Sequence, residues 1–389
     1  QVEMLNGHKI HRFSKGKGIY IAVLDAGFKN ADSIAPFDNI RSEGRIIGSK
    51  DFVNPGNDVY NESDHGTMVL SCMAMNKPGE MIGTAPEASY WLLRTEAANT
   101  EYPVEEDYWV IAAEFADSAG CDVINTSLGY TVFDNSDFDH NYGEYTGDSV
   151  RISKAANIAV NKGIVVVCSA GNEGDGSWKY ISFPAEARDV LCVASVDPEK
   201  QISSFSSVGF ESDSTILKPD VAAMGSRASI VDSYGVYSQS YGTSFSGPLI
   251  AGMAACLVGL YPDKKAIDII DMIIKSGDRY PVHSDEYGFG IPDFGSFVKD
   301  RVDTLRVDIK QDLLPDIKIF PNPVSDVLYV KNNSLYNYLE IISLDGTVVY
   351  SVRISKGNFS LDAGNINPGV YILRLKGDRY CQSYKILKR

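Results

Sequence analysis

Between Gly18 and Ser296 short β-branched runs alternate with longer segments of small and apolar residues, and that rhythm restricts the chain to few folds. The strand candidates are Ile19–Leu24, Ser89–Leu93, Val123–Ser127, Ile164–Ser169 and Val190–Ala194. Helical spacing of apolar residues appears over Gly66–Met75, Glu105–Ala119, Ser149–Lys162, Ser244–Tyr261 and Lys264–Lys275. The repeated order of strand and helix predicts an α/β domain, a doubly wound and mostly parallel sheet with reactive groups at strand ends and helix starts. After about Asp300 the helical period stops. Ile317–Phe320, Val327–Val330, Tyr338–Ser343, Thr347–Arg353, Gly369–Leu375 and Gln382–Leu387 read as short strands, with Pro321-Asn-Pro323, Asp345-Gly346, Asn367-Pro-Gly369 and Lys376-Gly-Asp378 as turns. A small all-β sandwich is expected there. The organisation is therefore a first domain over residues 1–300, a linker over 301–314 and a β-sandwich over 315–389.

Composition supports two cores. The chain has 389 residues, 44% of them apolar, with 22 tyrosines and 16 phenylalanines, which excludes intrinsic disorder. Residues 312–389 carry ten basic and seven acidic side chains, about +3, leaving about −18 on residues 1–311 within the total of −15. An acidic chain of this kind is not built for nucleic acid or an anionic membrane. The longest apolar run, Pro248 to Leu260, is shorter than the roughly 18 residues a membrane span needs, so no spanning segment is expected. Gln1 stands where an initiator Met would, with no signal segment after it, and is read as the start of a processed form. Six cysteines include no C-x-x-C pair. Cys121, Cys168, Cys192 and Cys256 lie in apolar runs and are expected as small buried hydrophobes.

Three segments place a reactive side chain beside small residues. Ile21-Ala-Val-Leu-Asp25 is an apolar strand ending in a carboxylate, a costly position for a charge without a partner. Asp64-His65-Gly66-Thr67 opens an apolar helix, with Gly66 allowing close approach and Thr67 available to a terminal amide. Gly242-Thr-Ser244-Phe-Ser-Gly-Pro248 places a serine where free backbone N–H groups and the positive end of a helix dipole favour a developing oxyanion. Each alone also fits a nucleotide site, a structural histidine or a helix cap. Their order Asp25, His65, Ser244, with gaps of 40 and 179 residues, is one of three chain orders of the hydrolytic triad.

On these residues the chain resembles the subtilisin-like serine proteases, the subtilases, over about residues 15–298. The resemblance implies a secreted endopeptidase acting through an acyl-enzyme. It makes Ser244 the nucleophile, His65 the general base and Asp25 its orienting carboxylate. Ser169-Ala-Gly171-Asn172-Glu-Gly174 is similar to the segment whose asparagine completes the oxyanion hole, which assigns that role to Asn172. Ser127-Leu128-Gly129 resembles the strand that pairs with substrate, so Ser127, Leu128, Gly129, Ser169, Ala170 and Gly171 are the expected substrate-binding residues. Phe205-Ser-Ser207 and Lys218-Pro-Asp220 resemble framework motifs, and Met224 stands where the family commonly has proline. An intact set of Asp25, His65, Ser244 and Asn172 argues against a catalytically silent binding scaffold. An α/β-hydrolase esterase fails on chain order and on the missing G-x-S-x-G elbow.

No cofactor is required for such catalysis. A structural calcium is common among subtilases, and Asp134, Asp137, Asp139, Glu144 and Asp148 form an oxygen-rich stretch. Their spacing is not that of a calcium loop, which favours a solvated loop and assigns no metal ligand. His8 and His11 lack the glutamate of H-E-x-x-H and are read as surface histidines. The tail, through Phe320-Pro-Asn-Pro-Val-Ser-Asp326, Leu344-Asp-Gly346, Pro368-Gly-Val-Tyr371 and the basic Lys385-Ile-Leu-Lys-Arg389, is similar to the type IX secretion sorting domains of Bacteroidetes. That resemblance implies polypeptide substrates outside the cell, secretion machinery as a partner, and release or attachment at the outer surface.

Overall fold

A computed structural model describes the chain except residues 211–215, 300–316, 333–335, 345, 355–356 and 378–380. It separates into two compact units, Gln1–Asp300 and Arg301–Arg389. The expected linker 301–314 lies outside the described residues.

Seven strands form the sheet of the first unit: β1 Tyr20–Asp25, β2 Ile46–Asp51, β3 Ser89–Arg94, β4 Val123–Thr126, β5 Val165–Ser169, β6 Leu191–Val196 and β7 Val221–Met224. Their spatial order is β2-β3-β1-β4-β5-β6-β7, with every pair parallel. The sheet is buried on both faces, which is why its central strands read as near-continuous apolar runs such as Ile-Ala-Val-Leu and Val-Val-Val-Cys. All five anticipated strands and all five helices are present, displaced by a residue or two. The helices are α1 His65–Ala74, α2 Val104–Ser118, α3 Arg151–Lys162, α4 Thr243–Leu260 and α5 Ala266–Lys275. β2 and β7 were not anticipated: Ile-Ile-Gly-Ser-Lys-Asp at one sheet edge is mostly half-exposed and carries no apolar run, and Val-Ala-Ala-Met at the other is only four residues long. The framework motif Lys218-Pro-Asp220 leads into β7: Asp220 Oδ2 accepts from Lys218 Nζ (2.7 Å) and from Cys192 N (2.7 Å), tying β7 to β6.

The strand order sets the position of the site. The chain runs from β1 outward to β2, returns to β3 beside β1, then crosses to β4 on the other side. β1 is thus the switch point, and ligands of such sheets bind beyond the carboxyl ends of the strands there. Asp25 is the last residue of β1, in register with Arg94 at the end of β3.

α4 runs behind strands β4 to β7 and packs on α1. Among the described helices it is the one long and apolar enough to cross a bilayer by length and composition, yet it is 89% buried and serves as the core helix of this unit. Pro248 lies inside it and has no N–H to give the carbonyl four residues earlier, that of Ser244. The freed oxygen accepts the Ser127 hydroxyl instead (3.0 Å), joining the helix start to the segment after β4.

The second unit holds two antiparallel sheets. β8 Lys318–Phe320, β9 Val327–Asn332 and β12 Gly357–Asp362 form one; β10 Tyr338–Ser343, β11 Val348–Arg353, β13 Gly369–Lys376 and β14 Cys381–Lys388 form the other, in the order β11-β10-β13-β14. Leu328, Val330, Leu361, Leu339, Ile341, Leu373, Leu375 and Ile386 alternate inward and build its core. β12 was not anticipated, its Gly-Asn-Phe-Ser-Leu-Asp being polar at every second position with a glycine at the start.

Candidate active site

Asp25 is fully buried at the end of β1. Its Oδ1 accepts the Ala26 amide (2.8 Å) and lies 2.8 Å from His65 Nδ1. A buried carboxylate in that position holds the ring with Nδ1 protonated and Nε2 free to act as a base. His65 is the first residue of α1 and keeps 31% of its side chain exposed. Burial lowers its pKa, but the Asp25 charge and hydrogen bond, with the charges of Glu96 and Asp64, outweigh that and raise it to about 8. The approach of α1 to β1 depends on Gly66, whose amide donates to Gly27 O (3.0 Å). A Cβ there would overlap that carbonyl and come within 2.8 Å of the Phe28 ring. Thr67 does not serve a terminal amide: it is fully buried and its hydroxyl donates to Lys29 O (2.8 Å).

Ser244 is the second residue of α4, with Gly242 as the cap, and is 8% exposed. Its hydroxyl donates to Ser127 O (3.3 Å) rather than to His65, so the His65 and Ser244 side chains are not hydrogen-bonded to each other here. The Phe245 ring, 6.1 Å from the imidazole between centroids, packs beside the pair. At the helix start the Thr243 amide is spent on Asn172 Oδ1 (2.8 Å) and the Phe245 amide on Gly242 O (3.1 Å). The Ser244 amide has no acceptor among the described residues.

Asn172 follows the turn after β5. Its Oδ1 accepts both the amide (2.8 Å) and the hydroxyl (3.0 Å) of Thr243, which fixes the orientation of the carboxamide and leaves Nδ2 as a donor. Among the described residues neither Asn172 Nδ2 nor Ser244 N has a hydrogen-bond acceptor, and both lie 3.7 Å from where a Cβ on Gly242 would sit, two donors available to a developing negative charge.

Sequence-expected substrate residues lie on both sides of this point. Leu128 and Gly129 make no backbone hydrogen bonds among the described residues, and Gly129 is exposed, so this stretch offers an open edge to an extended peptide. Facing it, Ser169 donates its hydroxyl to Thr243 O (2.8 Å), Ala170 O accepts from Ser182 N (3.0 Å) and Gly171 N donates to Thr243 Oγ1 (3.2 Å). Ser169, Ala170 and Gly171 are thus anchored, whereas Ser127 is tied to Ser244 and only the backbone groups of Leu128 and Gly129 are unengaged among the described residues.

Two groups escaped the sequence reading. Arg94, buried at the end of β3, donates to Ala26 O (3.2 Å) and pairs with Asp51 (2.9 Å), bracing the residue after Asp25. Thr243 holds Asn172 as described. Neither lies in a recognisable spacing; a buried arginine ending an apolar strand was the available signal for the first.

The acidic stretch is folded on itself. Asp139 accepts the Phe133 amide (2.7 Å), His140 lies between Glu106 (2.8 Å) and Glu144 (3.1 Å), and Asn141 and Glu144 form a capping box. Among the described residues no three His, Cys, Asp or Glu side chains converge on a metal position, so these carboxylates do not fit a calcium ion. His11 is not a surface histidine: it is half-buried, bonds Thr84 O (2.9 Å), and burial lowers its pKa. His8 is exposed. Cys72, Cys121, Cys168, Cys192 and Cys256 are buried free thiols, and burial pushes Cys121 up to about 12.

Subtilisin NAT of Bacillus subtilis subsp. natto is 32% identical over 281 residues, covering 71% of this chain and 64% of its own length. Subtilisin of Bacillus pumilus is 31% identical over 281 residues, covering 71% of this chain and 89% of its own. The chain thus spans 64% of the first of these relatives. Among solved structures, MycP1 with its N-terminal propeptide removed superposes with a TM-score of 0.59 at 24% identity over 76% of this chain and 96% of that one, a likeness of fold. Residues 318–389 match the secretion system C-terminal sorting domain. Residues 16–290 match the subtilase family, and the chain belongs to it.

Proposed function

We propose that the protein is a secreted serine endopeptidase whose catalytic domain spans residues 1–300 and whose 315–389 domain is a type IX sorting module, joined by the linker 301–314. The observation that carries the reading is the 2.8 Å contact of buried Asp25 with His65, together with a serine whose amide, like Nδ2 of the locked Asn172 carboxamide, has no acceptor among the described residues.

In this reading an extended substrate adds to the open edge at Ser127, Leu128 and Gly129, across from Ser169, Ala170 and Gly171. The Ser244 hydroxyl leaves Ser127 O by rotating about its Cα–Cβ bond, gives its proton to His65 Nε2, and its oxygen attacks the scissile carbonyl. Asp25 stabilises the imidazolium, and Asn172 Nδ2 with Ser244 N holds the oxyanion. His65 then protonates the leaving amine, and water repeats the sequence on the acyl-enzyme. No step uses a metal or cofactor. The sorting module marks the protein for export, with secretion machinery as partner and the medium or outer cell surface as destination.

A fluorophosphonate probe should label the purified protein at Ser244, and Ser244→Ala should lose both labelling and peptidase turnover, the latter by about 10⁶-fold, the magnitude established for subtilisin. Peptidase activity intact in Ser244→Ala would refute the assignment. Absent labelling of a folded wild-type protein would leave a silent scaffold.

A further inference from the structure

We propose that Arg94 is a positioning residue for the Asp25–His65 pair: its guanidinium ties the turn that follows Asp25 to the loop that leads into His65, and so sets how carboxylate and imidazole meet. The inference rests on the peptidase reading above and adds a residue to the same site.

Arg94 ends β3, in register with Asp25 at the end of β1, and is 4% exposed. Each of its three guanidinium nitrogens meets a different segment of the chain. Nε donates to Ala26 O (3.2 Å), directly after Asp25; Nη1 donates to Asp51 Oδ2 (2.9 Å), at the end of β2; Nη2 pairs with Glu62 Oε2 (3.4 Å), three residues before His65. A planar fork holds three segments at fixed angles to one another, which the single ammonium of a lysine cannot do.

One of the three partners is an anchor. Asp51 has a fully buried side chain whose Oδ1 accepts the amides of Val53 (2.9 Å) and Asn54 (2.8 Å), so it fixes the guanidinium and is not moved by it. The other two lie on the arms that carry Asp25 and His65. Farther along, those arms are joined by backbone bonds, from Phe28 N to Val59 O (2.8 Å), Asn30 N to Tyr60 O (3.0 Å) and Lys29 N to Ser63 O (3.1 Å). At Ala26 itself the tie is made by a side chain: among the described residues the donor to its carbonyl is Arg94.

Ala26 is where orientation matters most. Asp25 Oδ2 is buried with no hydrogen-bond partner, so the carboxylate is held through Oδ1 alone, by the Ala26 amide (2.8 Å) and the His65 ring (2.8 Å). Ala26 is thus gripped at its N–H by Asp25 and at its C=O by Arg94. On the other arm a Cβ on Gly27 would come within 2.5 Å of Ser63 N and 2.7 Å of Glu62 Cβ, a packing with no slack, and Ser63 Oγ accepts the His65 amide (3.3 Å). A displacement of Glu62 is therefore passed to both the Asp25 turn and the start of α1. Were Arg94 present only to neutralise buried Asp51, a lysine would serve equally well.

The test uses the full-length protein and two substitutions. Arg94→Lys keeps a charge against Asp51 and loses the fork; Glu62→Gln alters a half-exposed side chain and loses its ion pair. On a fluorogenic peptide kcat should fall about tenfold in Arg94→Lys and about threefold in Glu62→Gln, with KM changed by less than about twofold in each. The double variant should stay close to Arg94→Lys, because both substitutions remove one link. In the resting protein the NMR signal of the His65 Nδ1 proton should move upfield and exchange faster with water in both variants, a change that lost stability alone does not produce. Should Arg94→Lys not fold, as judged by its melting curve, Glu62→Gln carries the test with the same readouts. An unchanged kcat with the Nδ1 signal in place in a folded variant, or losses that multiply in the double variant, overturn the positioning role. A folded wild-type protein that a fluorophosphonate does not label overturns the peptidase reading, and the Nδ1 signal then decides the positioning role by itself.

Discussion

Asp25→Asn separates the two things this carboxylate does for His65. In the native pair burial lowers the imidazole pKa, and the Asp25 charge and hydrogen bond, aided by Glu96 and Asp64, carry it to about 8. A general base must be neutral, so activity is lost below this pKa and gained above it. From a pKa of about 8 the neutral fraction is about 1% at pH 6, about 9% at pH 7 and about 90% at pH 9, and kcat/KM should climb in that proportion. Asparagine keeps the size and removes the charge. Burial is then opposed only by Glu96 and Asp64, which rank below the two Asp25 contributions, and the rising limb should move down by more than one pH unit. The amide also ceases to enforce protonation at Nδ1, so turnover at the plateau should fall about 10⁴-fold. The assay is kcat/KM on one fluorogenic peptide from pH 5 to 10 for both proteins, with an NMR titration of the His65 ring as a direct reading. A wild-type limb at pH 6.5 or lower, or a limb that stays in place in Asp25→Asn, would refute the reasoning.

Other substitutions probe the parts around the triad. Thr243→Val removes the hydroxyl bond to Asn172 Oδ1 but keeps the amide bond; kcat should fall about tenfold with KM little changed, Thr243→Ser should restore it, and Asn172→Ala should cost about 10² to 10³. An unchanged kcat in Thr243→Val would mean that the amide alone orients the carboxamide. Gly66→Ala forces a methyl into the Gly27 carbonyl and should destabilise the first unit by about 1 to 3 kcal/mol, seen as a fall in Tm of several degrees. Glu186 is 1% exposed, accepts the Ser153 hydroxyl (2.9 Å) and has its pKa raised to about 8 by burial. An acid with a raised folded-state pKa costs stability as pH rises from its ordinary value of about 4.5 to 8. The Tm gain of Glu186→Gln over wild type should therefore be absent near pH 4.5, grow through that window and level off above it; a gain that does not vary with pH would contradict this.

Much of this architecture was legible because burial on both faces of a parallel sheet writes itself as apolar runs, and because α4 must be small and apolar to lie behind four strands. The residues proposed to carry the chemistry were visible for a related reason: Asp25, His65, Ser244 and Asn172 each sit where chain meets chain closely, and such places need Gly66, Gly242 or Gly171 beside them. β2 and β12 were not legible, since an edge strand and a half-solvated strand have no reason to be apolar, and β7 was missed because four residues are too short a run to show a period. His11 was misjudged for the converse reason, since a polar side chain that bonds a backbone carbonyl looks in sequence like one that faces water. Arg94 and Thr243 mark a deeper limit. What each does depends on its neighbour across strands or at the helix start, and that neighbour is set by the order β2-β3-β1-β4-β5, which places the end of β3 against Asp25 and the start of α4 against the turn after β5. A threonine at a helix start is unremarkable until the sheet order puts it against the turn after β5, so the residues that brace such a site are read from topology, whereas those proposed to perform its chemistry can be read from spacing.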